Sequence, residues 1–154
     1  MESNIWLHKS NLGLKYNGSL YWDDEMKTEQ AQHIKKLSAA GLKAFFNITK
    51  AWGLDEAQKL TLLGAPGRST FYRWQQDPEM AILSKDTLER ISYMLGIYKA
   101  LEILFMEAEN ADAWIKKPNL AFGGKSALEV MLAGNVTDLA DVRRYLDSIR
   151  GGWQ

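Results

Sequence analysis

The segment 68–76 carries several side chains whose chemistry suits contact with a nucleic acid. On a helical projection its hydrogen-bonding residues fall on one side, with the first at the exposed N-terminal end: Arg68, Ser69, Tyr72, Arg73 and Gln76. Phe71 and Trp74 fall roughly opposite, where they would anchor the helix to a core. Arginine pairs bidentately with guanine and glutamine with adenine, whereas serine and tyrosine hold phosphates. The alternative is an amphipathic helix with a solvated polar face.

The residues just before this segment predict the partner helix of a helix-turn-helix. Asp55 and Gln58 have the spacing of a capping box at the start of a short helix over 56–63. The turn 65–67, Ala-Pro-Gly, then leads into the second helix over 68–76. Two short helices joined by a glycine-containing turn have the geometry of a DNA-reading unit. In that unit the first helix would support and the second would read.

From Thr28 onward the chain reads as helical almost throughout, with apolar residues at helical spacing. Ser84 is a natural N-cap for a long helix, in which Gly96 predicts an interruption. The pattern predicts an all-α fold with a helix-turn-helix domain at 28–96. A smaller helical domain is expected to follow at 97–154.

The first 27 residues form an extension of different character. Asn17-Gly18 lies between alternating apolar segments, which is a strong signal for a β-hairpin. An isolated hairpin is marginal in water and would need a surface to pack on. A flexible tail is the alternative interpretation, and Met26 is an alternative start of the chain.

Composition excludes several classes of protein. The 154 residues include no cysteine, so a disulfide framework, a thiolate metal site and a cysteine nucleophile are ruled out. His8 and His33 are the only histidines, and neither has an adjacent nucleophile or acid. Gly124-Lys125-Ser126 resembles the end of a phosphate-binding loop, but Asn119 stands where that motif needs its first glycine. We therefore predict no enzyme activity, no metal and no cofactor.

The charge balance and hydropathy bear on location and partners. No apolar run approaches the roughly 20 residues of a membrane span, and the N-terminus lacks the pattern of a signal peptide. We expect a cytoplasmic protein that does not bind membranes. With 19 basic and 19 acidic residues the net charge is zero, which is mildly unfavourable to DNA binding. If the chain binds DNA, we expect it to do so through a local patch of basic residues and as an oligomer.

Several motifs follow one another in the C-terminal third: PNLAFGGKSAL at 118–128, Asp138-Leu139 with VRRYL at 142–146, and IRGGW at 149–153. In this order they resemble the toxin-binding domain of Xre/MbcA/ParS antitoxins. The segment 68–74 resembles the recognition helix of Xre-type repressors, so the resemblance covers roughly residues 42 to 154. It implies an antitoxin that neutralises a cognate RES-domain toxin, an NAD-consuming or ADP-ribosylating enzyme, by blocking its active site. It also implies an autorepressor that binds the promoter of its own operon.

The resemblance and the residue chemistry together select candidate toxin-binding residues: Phe122, Gly123, Gly124, Arg143, Arg144, Arg150 and Trp153. The glycines permit sharp backbone geometry, and the arginines could pair with carboxylates at an interface. Arg143 could instead pair with Asp147 one helical turn away. The indole of Trp153 follows two glycines and could reach a partner's pocket, or fold back onto its own domain.

Two other functions fit the same sequence. One is a helix-turn-helix transcriptional regulator without a toxin partner, in which the C-terminal domain mediates dimerisation or effector binding. The other is a purely interacting inhibitor whose helix-turn-helix no longer contacts DNA. For operator binding we expect a homodimer, because helix-turn-helix proteins usually read two half-sites about one helical turn, ~34 Å, apart.

Overall fold

The computed structural model of the chain describes residues 21–151, with side chains from Glu25 onward. Within that range seven α-helices follow one another: α1 (Tyr21–Ala51), α2 (Glu56–Leu62), α3 (Arg68–Gln76), α4 (Lys85–Leu104), α5 (Ala108–Trp114), α6 (Ala127–Met131) and α7 (Val136–Gly151). Two 3₁₀ turns occupy Pro78–Met80 and Leu120–Phe122. The described residues contain no strand, so the predicted all-α class is confirmed.

The N-terminal extension is described only at its end. The predicted hairpin falls outside the described residues, apart from Tyr21 and Trp22, which belong to α1. The chain divides into two compact units at residues 33 and 34, and residues 25–33 of the first unit are exposed helix. Everything described below lies in the second unit.

The second unit has one continuous hydrophobic core. The C-terminal half of α1 buries Leu42, Phe45 and Ile48, and Trp52 just beyond its end is buried as well, at spacings of three, three and four residues, the helical repeat. Helix α4 packs most extensively against α7 among the described elements. The buried side chains of α7 recur with the same period: Leu139, Val142 and Leu146. Because these side chains all join one cluster, both predicted domains draw on the same core.

Local capping chemistry determines where several helices begin. Asp55 and Gln58 form the predicted capping box: the Asp55 carboxylate accepts from the Gln58 N–H at 2.8 Å, and Gln58 reciprocates at 3.0 Å. Ser126 and Glu129 form a second such box at the start of α6. The backbone hydrogen bond from Ser126 lowers the pKa of Glu129, because it stabilises the ionised carboxylate. Ser84 caps α4, as predicted, by accepting from the Thr87 N–H.

Helix α4 is unbroken, so the interruption predicted at Gly96 is wrong. The glycine is explained by packing: a Cβ built there would overlap the guanidinium of Arg143 on α7. The Arg143 side chain crosses α4 in the space that a larger residue would fill. A residue that reads as a breaker thus marks a close approach of two helices.

Arg90 joins α4 to the turn before α7. Its guanidinium donates from Nη1 to the carbonyl of Gly134 at 2.9 Å and from Nε to Asp86 at 2.8 Å. The Arg90 side chain is 11% exposed and that of Asp86 57%, so the bond to Gly134 is partly shielded from water whereas the bond to Asp86 is exposed. Arg90 therefore holds the N-terminal end of α7 near the region that follows α2.

We expect Gly64→Ala to destabilise the fold. Gly64 follows the C-terminal end of α2 with φ +87°, and an added Cβ would lie 2.9 Å from Nε of Arg90. The left-handed backbone alone should cost about 1–2 kcal/mol. That corresponds to a melting temperature lower by several degrees, about 2–4 °C per kcal/mol, in thermal unfolding followed by circular dichroism.

Gly67→Ala is the matched control for this substitution. Gly67 has φ −59°, which any residue adopts, and the closest atom to an added Cβ is 4.0 Å away. Alanine is a poorer N-cap than glycine by roughly 0.5–1 kcal/mol, but it also lowers the conformational entropy of the unfolded chain by a comparable amount, so the net effect should stay within about 0.5 kcal/mol. Equal melting temperatures for the two variants would contradict the assignment of strain to Gly64.

Candidate functional site

Helices α2 and α3 form the predicted helix-turn-helix, and their bounds match the expected ones to within one residue. The ring of Phe71 is buried and meets Phe46 of α1 edge-on, with 5.8 Å between ring centroids. Trp74 is half-buried on the same side of α3. All five predicted DNA-binding residues are exposed together: Arg68, Ser69, Tyr72, Arg73 and Gln76. Helix α3 therefore has one face that packs against the core and another that is exposed to solvent.

The turn between the two helices holds two successive residues in the left-handed region. Gly64 adopts φ +87° and Ala65 φ +56°, and the Ala65 N–H donates to the carbonyl of Leu60 at 2.8 Å. Alanine has a steric cost of about 1–2 kcal/mol in this conformation, so the surrounding fold must hold it there. This geometry sets the direction in which α3 leaves α2.

Tyr72 and Glu56 form a contact that links the reading helix to the supporting helix. The Tyr72 hydroxyl lies 2.9 and 3.0 Å from the two carboxylate oxygens of Glu56 and donates to them. This hydrogen bond, together with the negative charge of Glu56, raises the pKa of Tyr72. Glu56 was assigned only as the start of α2, so sequence reasoning missed its role on this face.

A compact loop connects α5 to α6 and carries the predicted Phe122-Gly123-Gly124 turn. Asn119 closes the loop, because its carbonyl accepts from the N–H groups of Phe122 and Gly124, each at 3.0 Å. Gly123 and Gly124 adopt φ +64° and +87°, while a Cβ at either would meet nothing within 4 Å. The glycines are therefore required by backbone conformation and not by crowding.

The three predicted toxin-binding arginines all pair with acidic residues of their own helix, α7. Arg143 donates from Nε to Asp147 at 2.9 Å, which is the intrahelical pairing that the sequence offered as the alternative. Arg144 pairs with Asp141 at 2.8 Å and is 75% exposed. Arg150 lies 3.7 Å from Asp147. Trp153, the remaining candidate, lies outside the described residues.

An open groove of about 830 Å³ lies between the end of α4, α5 and α7, and we call it the C-terminal groove. Among the described residues nine line it: Ile103, Leu104, Phe105, Trp114, Leu146, Asp147, Ile149, Arg150 and Gly151. Of the predicted site residues that the structure describes, only Arg150 is among them. A sequence signal was present in the run Ile103–Met106, since four consecutive large apolar residues cannot all face the core from one helix.

An aromatic row extends from the C-terminal groove toward the Phe122-Gly123-Gly124 turn, which we call the glycine turn. The ring of Trp114 stacks on Tyr145, with centroids 6.3 Å apart and an angle of 12° between planes. Tyr145 in turn meets Phe122 edge-on at 5.0 Å. Leu120, just before Phe122, is almost fully exposed. The row thus joins the groove to the predicted turn in one surface.

The fold and these two surfaces define a helix-turn-helix protein with a helical partner-binding region. Comparison with known families agrees on both parts. Residues 33–96 match the antitoxin Xre-like helix-turn-helix domain, and residues 100–152 match the antitoxin Xre/MbcA/ParS C-terminal toxin-binding domain. The chain is also 50% identical over 113 residues to the uncharacterized protein y4oB of Sinorhizobium fredii (strain NBRC 101917 / NGR234). That alignment covers 73% of this chain and 86% of the relative.

The chain belongs to the Xre/MbcA/ParS antitoxin family, and the resemblance found in its motifs is confirmed. Members are antitoxins of toxin–antitoxin pairs, a non-enzymatic kind of protein. Among the helices of residues 21–151, none is long and apolar enough to cross a membrane.

We expect Glu56→Gln to move the pKa of Tyr72 back toward 10.0, because the variant loses both the carboxylate acceptor and its charge. A raised pKa means that the contact favours the protonated phenol. Its stabilising contribution is therefore complete below pH 10 and is lost as the pH rises through the folded pKa. NMR titration of the tyrosine Cζ resonances would measure the shift, with Glu79→Gln as the control. An unchanged Tyr72 titration would contradict the contact.

Proposed function

We propose that this chain is a dual-role antitoxin. It binds and neutralises a cognate RES-domain toxin by obstructing the toxin's active site, and it represses its own operon by binding the promoter as a homodimer. The observation that carries the proposal is the presence of both family domains in one chain, each with an exposed surface suited to its partner. Because operator DNA lies in the cytoplasm, the proposal places the chain there as well.

The toxin half of the proposal is supported by the chemistry of the region 100–152. It exposes apolar side chains that a monomer would normally cover, with Met106 and Leu120 almost wholly exposed. Exposed arginines lie on α7 of the same region, where they can pair with carboxylates. The identity of the toxin as a RES-domain enzyme rests on the resemblance of the C-terminal motifs.

The direct test of the toxin half is co-purification. The antitoxin expressed with the gene next to its own should emerge in a stable complex with a RES-domain protein. A plain helix-turn-helix regulator would instead bind its operator and leave the adjacent gene product alone. A neighbouring gene without a RES domain, together with no co-purifying protein, would favour that second function.

We expect the double substitution Arg68→Ala, Arg73→Ala to weaken operator binding and flatten its salt dependence. Both side chains are exposed on α3, and removing one phosphate contact should lower the slope of log K against log salt by about one. Fluorescence anisotropy at several salt concentrations measures both effects. Lys99→Ala, Lys117→Ala removes the same charge from exposed positions on α4 and after α5 and is the control. Unchanged operator affinity would leave only the inhibitor function.

We expect deletion of Gly151–Gln154 to impair toxin neutralisation and to leave operator binding intact. The deletion removes Trp153, and tryptophan is enriched among the residues that dominate binding energy at interfaces. Growth rescue during toxin expression reports neutralisation, and anisotropy reports operator binding. The variant Arg68→Ala, Arg73→Ala should show the reverse pattern. Full neutralisation by the truncated chain would mean that Trp153 is only a tail.

A further inference from the structure

The C-terminal groove has the chemistry of a protein-binding site. Its volume of about 830 Å³ lies within the range of about 300–1,000 Å³ typical of ligand pockets. Its walls are mostly apolar, and one wall is formed by Ile103, which remains 55% exposed. The free energy of the system falls when a partner covers such a large aliphatic side chain and removes it from water.

The groove also contains one arginine, Arg150, whose ion pair with Asp147 is long. Asp147 and Arg150 are the charged residues among those lining it. Oδ2 of Asp147 lies 2.9 Å from Nε of Arg143, whereas Oδ1 of Asp147 lies 3.7 Å from Nη1 of Arg150. The Arg150 side chain, 37% exposed, can therefore turn its guanidinium to a second carboxylate without leaving Asp147 uncompensated. An arginine beside an apolar groove fits a partner segment that places a carboxylate next to a large apolar side chain.

All nine lining residues fall within the region matched to the toxin-binding domain, and the aromatic row continues the groove to the glycine turn. We propose that the C-terminal groove is the anchor site for the toxin, which inserts a large apolar side chain against Ile103 and pairs a neighbouring carboxylate with Arg150. The assignment rests on the proposed function, since it names how the same partner is held. It places the main binding energy in the groove, and not in the arginines that pair within α7.

Ile103→Asp tests the apolar part of the site. The variant should bind a catalytically inactive form of the cognate toxin with Kd raised about 30-fold or more, the loss expected of an interface hot spot. Isothermal titration calorimetry measures Kd, and circular dichroism checks the fold. Ile82→Asp is the matched control, because Ile82 is 72% exposed and lies outside both the groove and the toxin-binding match. Toxin binding by Ile103→Asp within threefold of wild type would overturn the assignment.

Arg150→Glu tests the charged part. It should raise Kd about tenfold and weaken its dependence on salt, whereas Lys85→Glu, a charge reversal at an exposed position outside the toxin-binding match, should do neither. If wild-type chain does not bind the toxin at all, the proposed function itself fails. If wild type binds and both groove variants bind equally well, only the groove assignment fails.

The alternative occupant of the groove is the chain's own C-terminal tail, and a double-mutant cycle separates it from the toxin. Deletion of residues 152–154 should add its effect on toxin Kd to that of Ile103→Asp, because independent contacts give additive changes. If the combined variant is no weaker than either single one, the tail and Ile103 act through one contact. That result would assign the groove to the tail and overturn the proposal.

Discussion

The packing of α4 against α7 is the constraint on which both surfaces depend. Helix α4 spans 20 residues, about 30 Å, and its buried face runs from Thr87 to Leu101 without a break. Its N-terminal half lies in the region matched to the helix-turn-helix and its last turn in the region matched to the toxin-binding domain. At Gly96, the last residue of the helix-turn-helix match, the side chain of Arg143 from α7 crosses the helix. No linker separates the two regions within residues 85–104.

The elements that carry the two surfaces also meet around Arg90. Arg90 hydrogen-bonds to the turn that begins α7, and an added Cβ at Gly64, after α2, would touch its side chain. Thr61 of α2 also lies 3.7 Å from the Cβ position of Gly134. The end of α2 and Gly64 thus lie close to Arg90 and to the turn that precedes α7. The elements that carry the two surfaces are therefore joined by direct packing.

Local chemistry made much of this fold predictable, and tertiary packing accounts for what was missed. The bounds of α2 and α3 followed from a capping box and from the glycine-containing turn 65–67, both of which act within a few residues. The groove could not be found that way, because Phe105, Trp114 and Ile149 come from three separate parts of the chain and meet only after folding. Gly96 shows the same limit. A glycine inside a helical pattern signals either a break or a close approach, and only the position of Arg143 decides between them.

Zero net charge is compatible with DNA binding here because the charge is distributed by surface. Helix α3 carries Arg68 and Arg73 and no acidic residue. Among the described side chains none caps the N-terminus of α3 with a hydrogen bond. Glu56 of α2 contacts this helix, and its carboxylate accepts a hydrogen bond from the Tyr72 hydroxyl. Two aspartates of α7 are likewise paired with arginines of the same helix. Phosphate attraction depends on this local balance, since charges farther away than about 8 Å are screened at physiological salt.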